Sequence, residues 1–314
     1  DPSGLIWVGL GEGLDLYNPA TGVFRHFRHQ VNDNRSLSKG NVNVMLRDTK
    51  GRLWVGTDNG LDQLNEQTGS FIHFKSDPSN PASLTDDVIW NLYEDRGGTL
   101  WVATGHPFYK PDPAKGGLSR LNPDGTFTRY VHDSRNASTL IDNRVRALFE
   151  DSRGVFWVGT SGDGLHTMDR KSGQLERHPY NPARPEQLSR PPLIKTDPFA
   201  FDNDQVTFVL EDGRGYIWIG TMWSGMNRYD PSTQKVTRYF GSHGFPDSSA
   251  WNGFVSRDGT IWISTQSDRL YHAGPIRPAC TKIKTTAPVF SFLENDKGQL
   301  WAGTDKGGLL ALGS

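Results

Sequence analysis

The amino-acid sequence predicts an all-β fold, a seven-bladed β-propeller of four-stranded antiparallel blades that occupies residues 1–314 as a single domain. Three observations lead to this prediction. A tryptophan-centred motif recurs seven times, short apolar runs bounded by turn residues follow each copy, and glycine occupies 35 positions. Strand-forming repeats with a period of about 45 residues are typical of propeller blades.

The tryptophan motif marks one strand of every repeat. It reads Leu53-Trp54-Val55-Gly56-Thr57 in one of its most regular copies, with small variations in the others. The seven motif tryptophans are Trp7, Trp54, Trp101, Trp157, Trp218, Trp262 and Trp301. Because the chemistry of this position repeats so closely, we expect these side chains to pack between blades.

The remaining elements of a repeat follow in a fixed order around this strand. In the second repeat, a strand at 42–46 leads into an Asp-x-x-Gly turn at 48–51, and the tryptophan strand comes next. A strand at 60–64, a turn at 65–69 and a strand at 70–74 complete the unit. The aspartate can accept backbone N–H bonds inside its turn, and the glycine can take a positive φ. We name the four strands A, B, C and D from the centre outward.

A single four-stranded sheet of this kind has two apolar faces, so we expect successive sheets to stack face to face. The first repeat has no strand A and the last has no strand D. Either the two terminal blades are one strand short, or the missing strands lie outside this chain.

Composition and motifs exclude several classes of function. The net charge is −1, with no long run of either sign, so we expect no nucleic-acid partner and no basic membrane-binding face. Cys280 is the only cysteine, which rules out an internal disulfide and a cysteine-based zinc site. The run Gly9-Leu10-Gly11-Glu12-Gly13 has the wrong spacing for dinucleotide binding. We predict no cofactor and no metal.

Two segments carry a family resemblance. The pattern Ser-Leu-Thr-Asp-Asp-Val…Glu-Asp-x-x-Gly-x-Leu-Trp-Val, at Ser83 to Val102, resembles the two-component regulator propeller repeat, and so does Gly-Leu…Asn-x-x-Thr-Gly-x-Phe at Gly60 to Phe71. The resemblance implies a ligand-binding sensor in the periplasm, attached to the signalling modules of a membrane-bound histidine kinase or diguanylate cyclase. The turns at 256–259 and 295–298 depart from the pattern because they lack the leading aspartate.

Loop lengths predict which edge of the sheets binds a ligand. The A–B and C–D turns are short and lie at one end of the strands, which we call the turn edge of each sheet. Long, irregular segments connect B to C and D to A at the opposite end of the strands, which we call the loop edge. These segments are the insertion at 106–116 and the loops at 29–41, 75–87, 131–144 and 178–205. Elaboration on one side of a rigid scaffold favours a binding surface, although tolerated insertions are an alternative interpretation.

The candidate ligand-binding residues come from one register near the start of strand A and from the adjacent loops. The residue five positions before each A–B turn differs from repeat to repeat, and this variation suits recognition of an asymmetric ligand. The candidates are Asn43, Trp90, Arg146, Thr207, Trp251 and Phe290 in that register, with Trp223, His106 and Tyr109 in B–C connections. Aromatic and polar side chains together could bind a small ligand such as an oligosaccharide, or they could be ordinary packing under loops.

Other functions stay open at this stage. Streptogramin lyases resemble the chain as seven-bladed rings with Gly-x-x-Trp turns, and His106 is the histidine best placed to act as a base in such an enzyme. A paired-carboxylate glycoside hydrolase and a protein-binding scaffold are further alternatives. We predict that the chain is not an enzyme. The outer-strand residues His26, His73, Arg129 and Arg238 are interpreted as a solvated rim.

Overall fold

The fold is a seven-bladed β-propeller. A computed structural model describes residues 4–108, 112, 115–162, 164–192, 205–240, 245, 247, 249–267, 269–274, 281–305 and 308–312. These residues form twenty-six strands and no helix, so they include no helix that could cross a membrane. The strands build seven antiparallel sheets, and the chain divides into two compact units, Asp1–Leu148 and Phe149–Ser314. The predicted fold class is confirmed.

The first unit contains three complete sheets. The first sheet is β1 (Ile6–Leu10), β2 (Gly13–Asn18) and β3 (Val23–Phe27). The second is β4 (Val42–Arg47), β5 (Leu53–Thr57), β6 (Gly60–Asn65) and β7 (Ser70–Phe74). The third is β8 (Ile89–Glu94), β9 (Leu100–Thr104), β10 (Gly117–Leu121) and β11 (Phe127–Tyr130). Strands B, C and D without a strand A make up the first sheet, as predicted.

The boundary between the units falls within strand β12 of the fourth sheet, and the second unit contains the other strands of that sheet and the three sheets that follow. The fourth sheet is β12 (Val145–Glu150), β13 (Phe156–Thr160), β14 (Leu165–Met168) and β15 (Leu175–Arg177). The fifth is β16 (Val206–Glu211), β17 (Ile217–Thr221), β18 (Met226–Asp230) and β19 (Lys235–Tyr239). The sixth is β20 (Asn252–Val255), β21 (Ile261–Ser264), β22 (Arg269–Ala273) and β23 (Thr281–Lys284). The seventh is β24 (Val289–Glu294), β25 (Leu300–Thr304) and β26 (Gly308–Leu312), without a strand D.

The A–B turn forms because its aspartate replaces missing backbone partners. In the second sheet, Oδ1 of Asp48 accepts the backbone N–H groups of Lys50 and Arg52 at 3.1 and 2.8 Å. Gly51 has a φ of 79°, a conformation that a side chain would strain. The other carboxylate oxygen of Asp48 accepts the indole N–H of Trp54 at 2.9 Å. One aspartate therefore closes the turn and orients the motif tryptophan.

The same indole-to-aspartate hydrogen bond recurs in four successive sheets. The donor and acceptor pairs are Trp54–Asp48 at 2.9 Å, Trp101–Asp95 at 2.8 Å, Trp157–Asp151 at 3.1 Å and Trp218–Asp212 at 2.8 Å. All four tryptophans are buried, and the first three are among the largest fully buried side chains of the molecule. The prediction that the motif tryptophans are structural is supported in these sheets.

In the first unit, neighbouring sheets approach closely at the glycine that lies two residues after the motif tryptophan of the first and second sheets. A Cβ atom on Gly56 of β5 would lie only 2.6 Å from Cγ2 of Ile89 in β8. The turn edge adds a polar contact between the same two sheets, because Glu94 accepts both the backbone N–H and the hydroxyl of Thr49 at 2.7 Å. Strand A of the neighbouring sheet therefore leaves no room for a side chain at Gly56.

Three of the D–A loops share one conformation, so the expectation that they are irregular is wrong. The hydroxyl of Ser36, Ser83 or Thr139 accepts the backbone N–H six residues earlier, at 2.9, 2.7 and 3.0 Å. The following leucine of each loop is buried, and these residues are Leu37, Leu84 and Leu140. Backbone bonds then tie two of the loops to strand D of the next sheet, from Phe71 to Arg35 and from Phe127 to Ala82. These loops are repeated structural elements rather than free elaborations.

Candidate functional site

The predicted register coincides with a β-bulge in strand A. The pairing of strands A and B shifts at one residue in four sheets. The residues at the shift are Asn43, Trp90, Thr207 and Phe290, each of which is a predicted site residue. A bulge leaves its extra residue outside the regular ladder and redirects its side chain. The backbone therefore gives this register a role different from that of the rest of strand A.

In the first unit, the bulge residue Trp90 belongs to an aromatic cluster. Its ring centroid lies 5.9 Å from that of His106 and 6.1 Å from that of Phe108. The guanidinium carbon of Arg146 lies 5.9 Å from the Trp90 ring centroid and 5.7 Å from that of Phe108. Arg146 is only 4 % exposed, so its charge is held against two aromatic faces. The structure therefore brings together Trp90, His106 and Arg146, three of the sequence-predicted site residues.

His106 is poorly suited to proton abstraction in this arrangement. Its Nδ1 accepts the backbone N–H of Phe108 at 3.3 Å, which places the ring proton on Nε2. Burial lowers the pKa of His106, and the negative charge of Asp58 opposes that change. The imidazole is therefore neutral at pH 7 and presents a donor, whereas a general base needs a free lone pair directed at the substrate.

Asn43 has a structural task at its bulge. Its side-chain amide donates to Oδ1 of Asp58 at 2.8 Å and to the carbonyl of Ile89, in the next strand A, at 3.0 Å. Asn91 makes a comparable bond to the carbonyl of Arg146 at 2.9 Å. These amides hold the bulged segments of neighbouring strands together, and Asn43 thereby fixes the backbone of Ile89, the residue before Trp90.

The second unit places two predicted aromatic residues in contact. The rings of Trp251 and Phe290 meet edge to face, with centroids 5.4 Å apart. Thr207 donates its hydroxyl to the carbonyl of Ala250, next to Trp251, at 2.5 Å. Phe290 is 44 % exposed, whereas Thr207 is buried. This unit therefore offers an accessible aromatic pair supported by a buried hydroxyl.

Besides His106, two further predicted residues belong to the B–C connections, and one residue of the Trp90 cluster was missed. Trp223 is half-buried between Met222 and Ser224, which are both buried. Tyr109 lies outside the described residues. Phe108 belongs to the Trp90 cluster but was not among the sequence-predicted site residues. Its position beside His106 in the only long B–C insertion was the available signal.

The outer-strand cations are structural, so their interpretation as a solvated rim is wrong for three of them. Arg129 donates to the carbonyls of Asp77, Asn80 and Ser83 in the loop of the preceding sheet. Arg238 donates to the carbonyl of Pro185 at 3.0 Å. Each guanidinium therefore fastens a D–A loop.

His73 performs the same task with a carboxylate partner. Its Nε2 lies 2.9 Å from the carbonyl oxygen of Asn34, and its Nδ1 lies 2.6 Å from Oδ1 of Asp62. The hydrogen bond to buried Asp62 raises the pKa of His73 above its ordinary value. Both ring nitrogens therefore act as donors in the protonated form, and the imidazolium links the loop to strand C.

Comparison with known proteins adds a family to this geometry. The family described as the two component regulator propeller matches residues 36–59, 83–106, 139–162 and 200–223, and each match contains an A–B turn and a strand B. These four segments of the chain therefore match the two-component regulator propeller repeat. A comparison with curated proteins finds no match.

Solved structures of two kinds are similar to the chain. One is the extracellular domain of a hybrid two component system from B. thetaiotaomicron, with a TM-score of 0.60 and 19% identity. The match covers 99% of this chain and 43% of that chain, so the chain spans less than half of that protein's length. The other is virginiamycin B lyase from Staphylococcus aureus, in a catalytically inactive form with quinupristin, with a TM-score of 0.64, 11% identity and 97% of each chain covered. At these identities the likeness concerns the fold.

The described residues contain no group of three or more His, Cys, Asp or Glu side chains that could hold a metal ion.

Proposed function

We propose that the chain is the sensor propeller of a bacterial signalling receptor and binds a small ligand, such as an oligosaccharide, at the loop edge of its sheets. The two-component regulator repeats support the receptor assignment. They also support an extracytoplasmic, periplasmic location and a partnership with signalling modules of a larger membrane protein. The proposed role is binding without turnover.

One observation carries the choice of site. The bulge residue of strand A changes chemistry between sheets, and in the first unit it surrounds a buried guanidinium with aromatic rings. Positions that only maintain the fold repeat their residue, as the aspartate and tryptophan of the A–B turn do. A sugar ring offers an apolar face to Trp90 and hydroxyl groups to Arg146, so an oligosaccharide fits both partners.

Trp90, Arg146, His106 and Asn43 would contribute the ligand contacts of the first unit, and Tyr109, which lies outside the described residues, stays a further candidate. Trp251, Phe290, Thr207 and Trp223 would contribute those of the second. The rigid packing of Arg146 would keep the ordering cost of binding low, because its side chain is held before the ligand arrives.

The test is a ligand screen of oligosaccharides and peptides by thermal shift, followed by calorimetry with any ligand that raises the melting temperature. A Trp90→Ala/Trp251→Ala double variant should weaken binding by at least about tenfold, since aromatic contacts of this kind contribute on the order of 1 kcal/mol each. Phe24→Ala is the matched control because Phe24 is 47 % exposed on the outer strand β3. Undiminished binding by the double variant would exclude this site.

The lyase alternative is tested by the same screen with a different readout. Turnover of a bound compound, lost in His106→Ala, would support an enzyme. The hydrogen bond between Nδ1 of His106 and the backbone of Phe108 favours the binding role.

A further inference from the structure

A groove on the outer side of the first two sheets lies apart from the residues proposed above. It has a volume of about 360 Å³ and is formed by strand β3, the D–A loop that follows it, and the start of strand β7. Three arginines line the groove, namely Arg25, Arg28 and Arg35, together with one aspartate, Asp33. Positive charge therefore predominates on its wall.

The three arginines differ in how their charges are used. Arg28 donates to Oδ1 of Asp15 at 2.6 Å and to two backbone carbonyls, so it is largely engaged in holding the fold. Arg35 lies 3.7 Å from Asp33 with its side chain 76 % exposed, a geometry that contributes little. Arg25 forms no ion pair with any residue that the structure describes. Its charge is available to a ligand.

Arg25 is nevertheless held in place. Its guanidinium carbon lies 4.7 Å from the ring centroid of Phe27, which packs edge to face on Phe71. The guanidinium also passes so close to Gly69 that a Cβ atom there would lie 2.7 Å from its Nη2. The ring of Phe27 and the turn at Gly69 therefore position the Arg25 guanidinium, and no carboxylate of the described residues neutralises its charge.

The fold does not require these charges. Arg25 occupies the strand D position that Ile72 holds in the second sheet and Glu176 holds in the fourth. Arg35 supplies a loop carbonyl to strand D of the next sheet, and Ala82 and Glu186 supply the corresponding carbonyls elsewhere. The two positions thus carry two arginines, two apolar residues or two glutamates in otherwise equivalent settings.

We propose that the Arg25 groove is a second ligand site that binds an oxoanion, such as a carboxylate or a phosphate group. Arg25 and Arg35 make the charge-assisted hydrogen bonds, since a guanidinium fork matches the oxygens of both groups. The Thr68 and Ser70 hydroxyls on the groove wall are hydrogen-bonded to each other at 2.6 Å, so one of the two has its proton left to donate to the ligand. The site is independent of the Trp90 cluster and of the ligand proposed for it.

The experiment follows the Nε–Hε resonances of the arginines in the ¹⁵N-labelled chain during titration with sodium phosphate, sodium acetate and sodium chloride at constant ionic strength. A saturable shift at Arg25 with phosphate or acetate is the expected result, and the stronger of the two responses identifies a phosphate-bearing or carboxylate-bearing ligand. Linear, non-saturating shifts, or equal responses to chloride, would show charge screening only and overturn the proposal.

Variants separate the site from general charge and from folding. Binding by variants at position 25 is followed at the Nε–Hε resonance of Arg35, and binding by Arg35→Gln at that of Arg25. Arg25→Gln and Arg35→Gln should each raise the apparent Kd by about tenfold, the usual contribution of a hydrogen bond to a charged group. Arg135→Gln is the matched control, because Arg135 follows Asp133 in the same Asp-x-Arg arrangement but lies in another loop. Equal losses in Arg135→Gln would contradict the assignment.

Two further variants complete the test. Arg25→Lys keeps the charge but loses the planar fork, so it should bind more weakly than the wild type and more tightly than Arg25→Gln. Trp90→Ala should leave the phosphate and acetate responses unchanged. A loss of response in Trp90→Ala would mean that the groove does not act as a separate site, whereas failure of the oligosaccharide proposal alone would leave these responses intact.

Discussion

The two edges of each sheet obey different rules. At the turn edge, an aspartate carboxylate accepts the indole N–H of the motif tryptophan in four successive sheets. At the loop edge, where strand A has its β-bulge, the residue left out of the ladder is an asparagine, a tryptophan, a threonine or a phenylalanine. Residue identity is therefore constrained where one side chain must satisfy buried donors, and it can vary where the backbone itself makes the irregularity.

The largest expected difference between the edges is the cost of removing a tryptophan. Trp101→Ala should lower the free energy of unfolding by about 3–5 kcal/mol, because the 1 % exposed side chain leaves a cavity and an unused acceptor. Trp90→Ala, at the bulge, should cost less than half as much because Trp90 is only half-buried. Urea unfolding of both variants measures the difference. Equal costs would make Trp90 a core residue and weaken the proposed site.

A smaller loss of stability should follow when one carboxylate oxygen at the turn edge is replaced by an amide nitrogen. In Asp95→Asn, one amide oxygen can accept either the backbone N–H groups of Gly97 and Thr99 or the indole of Trp101, but not both. We expect a loss of about 1–3 kcal/mol, the cost of an unsatisfied buried donor. Asp124→Asn is the control, since exposed Asp124 accepts bonds only within its own turn. A neutral Asp95→Asn would show that water or a rearranged amide replaces the lost acceptor.

Sequence analysis was most successful where chemistry repeats. The number of strands, the two three-stranded terminal sheets and the boundaries of strand B follow from a motif that recurs seven times. The bulge register was found by counting back from the turn aspartate. The bulge itself was not predicted, because it consists of a pairing shift that leaves no fixed residue in the sequence.

The loop edge was harder to predict because its order comes from contacts distant in sequence. The loops at 29–41, 75–87 and 131–144 look irregular in sequence, yet Ser36, Ser83 and Thr139 close them in the same way. Arg129 and the loop that it fastens are more than forty residues apart. A hydroxyl at fixed spacing before a leucine was the signal that could have shown the repeat.

Two sheets carry different titratable groups at the same position of strand C, and the two groups respond differently to pH. Asp62 binds His73 in the first unit, whereas His166 holds the same position in the second, fully buried, with Nδ1 donating to the carbonyl of Val158 at 3.1 Å. Burial lowers the pKa of His166 to about 4. His166 therefore stays neutral in the folded protein at pH values where the histidine of the unfolded chain, with an ordinary pKa of about 6.5, is already protonated.

This difference predicts an acid sensitivity that belongs to His166. The stability that depends on neutral His166 is complete above pH 6.5 and should fall as the pH decreases from 6.5 towards 4. Asn227 holds the equivalent position of strand C in the fifth sheet. His166→Asn should therefore flatten the dependence of stability on pH between 6.5 and 4. The measurement is the urea midpoint of both proteins between pH 7.5 and 4.5. Parallel profiles would contradict the assignment to His166.

The smallest predicted effect is a gain at the turn edge, where the last repeat departs from the rule. Asn295 takes the place of the aspartate and accepts the backbone N–H groups of Lys297 and Gln299 through Oδ1, while its Nδ2 donates to Gln299. The indole N–H of Trp301 is consequently buried without a partner among the described residues. An amide has one acceptor oxygen, so it cannot replace both oxygens of a carboxylate.

Asn295→Asp should therefore stabilise the protein by about 1 kcal/mol, because it supplies the missing acceptor to Trp301. Differential scanning calorimetry would show the gain as a higher melting temperature. Ser256→Asp is the matched substitution in the sixth sheet, where the Ser256 hydroxyl already accepts the indole N–H of Trp262 at 3.3 Å. It introduces the same charge without satisfying a new donor, so its gain should be smaller. An equal gain in both variants would attribute the effect to charge, and the rule of the turn edge would then not depend on the indole hydrogen bond.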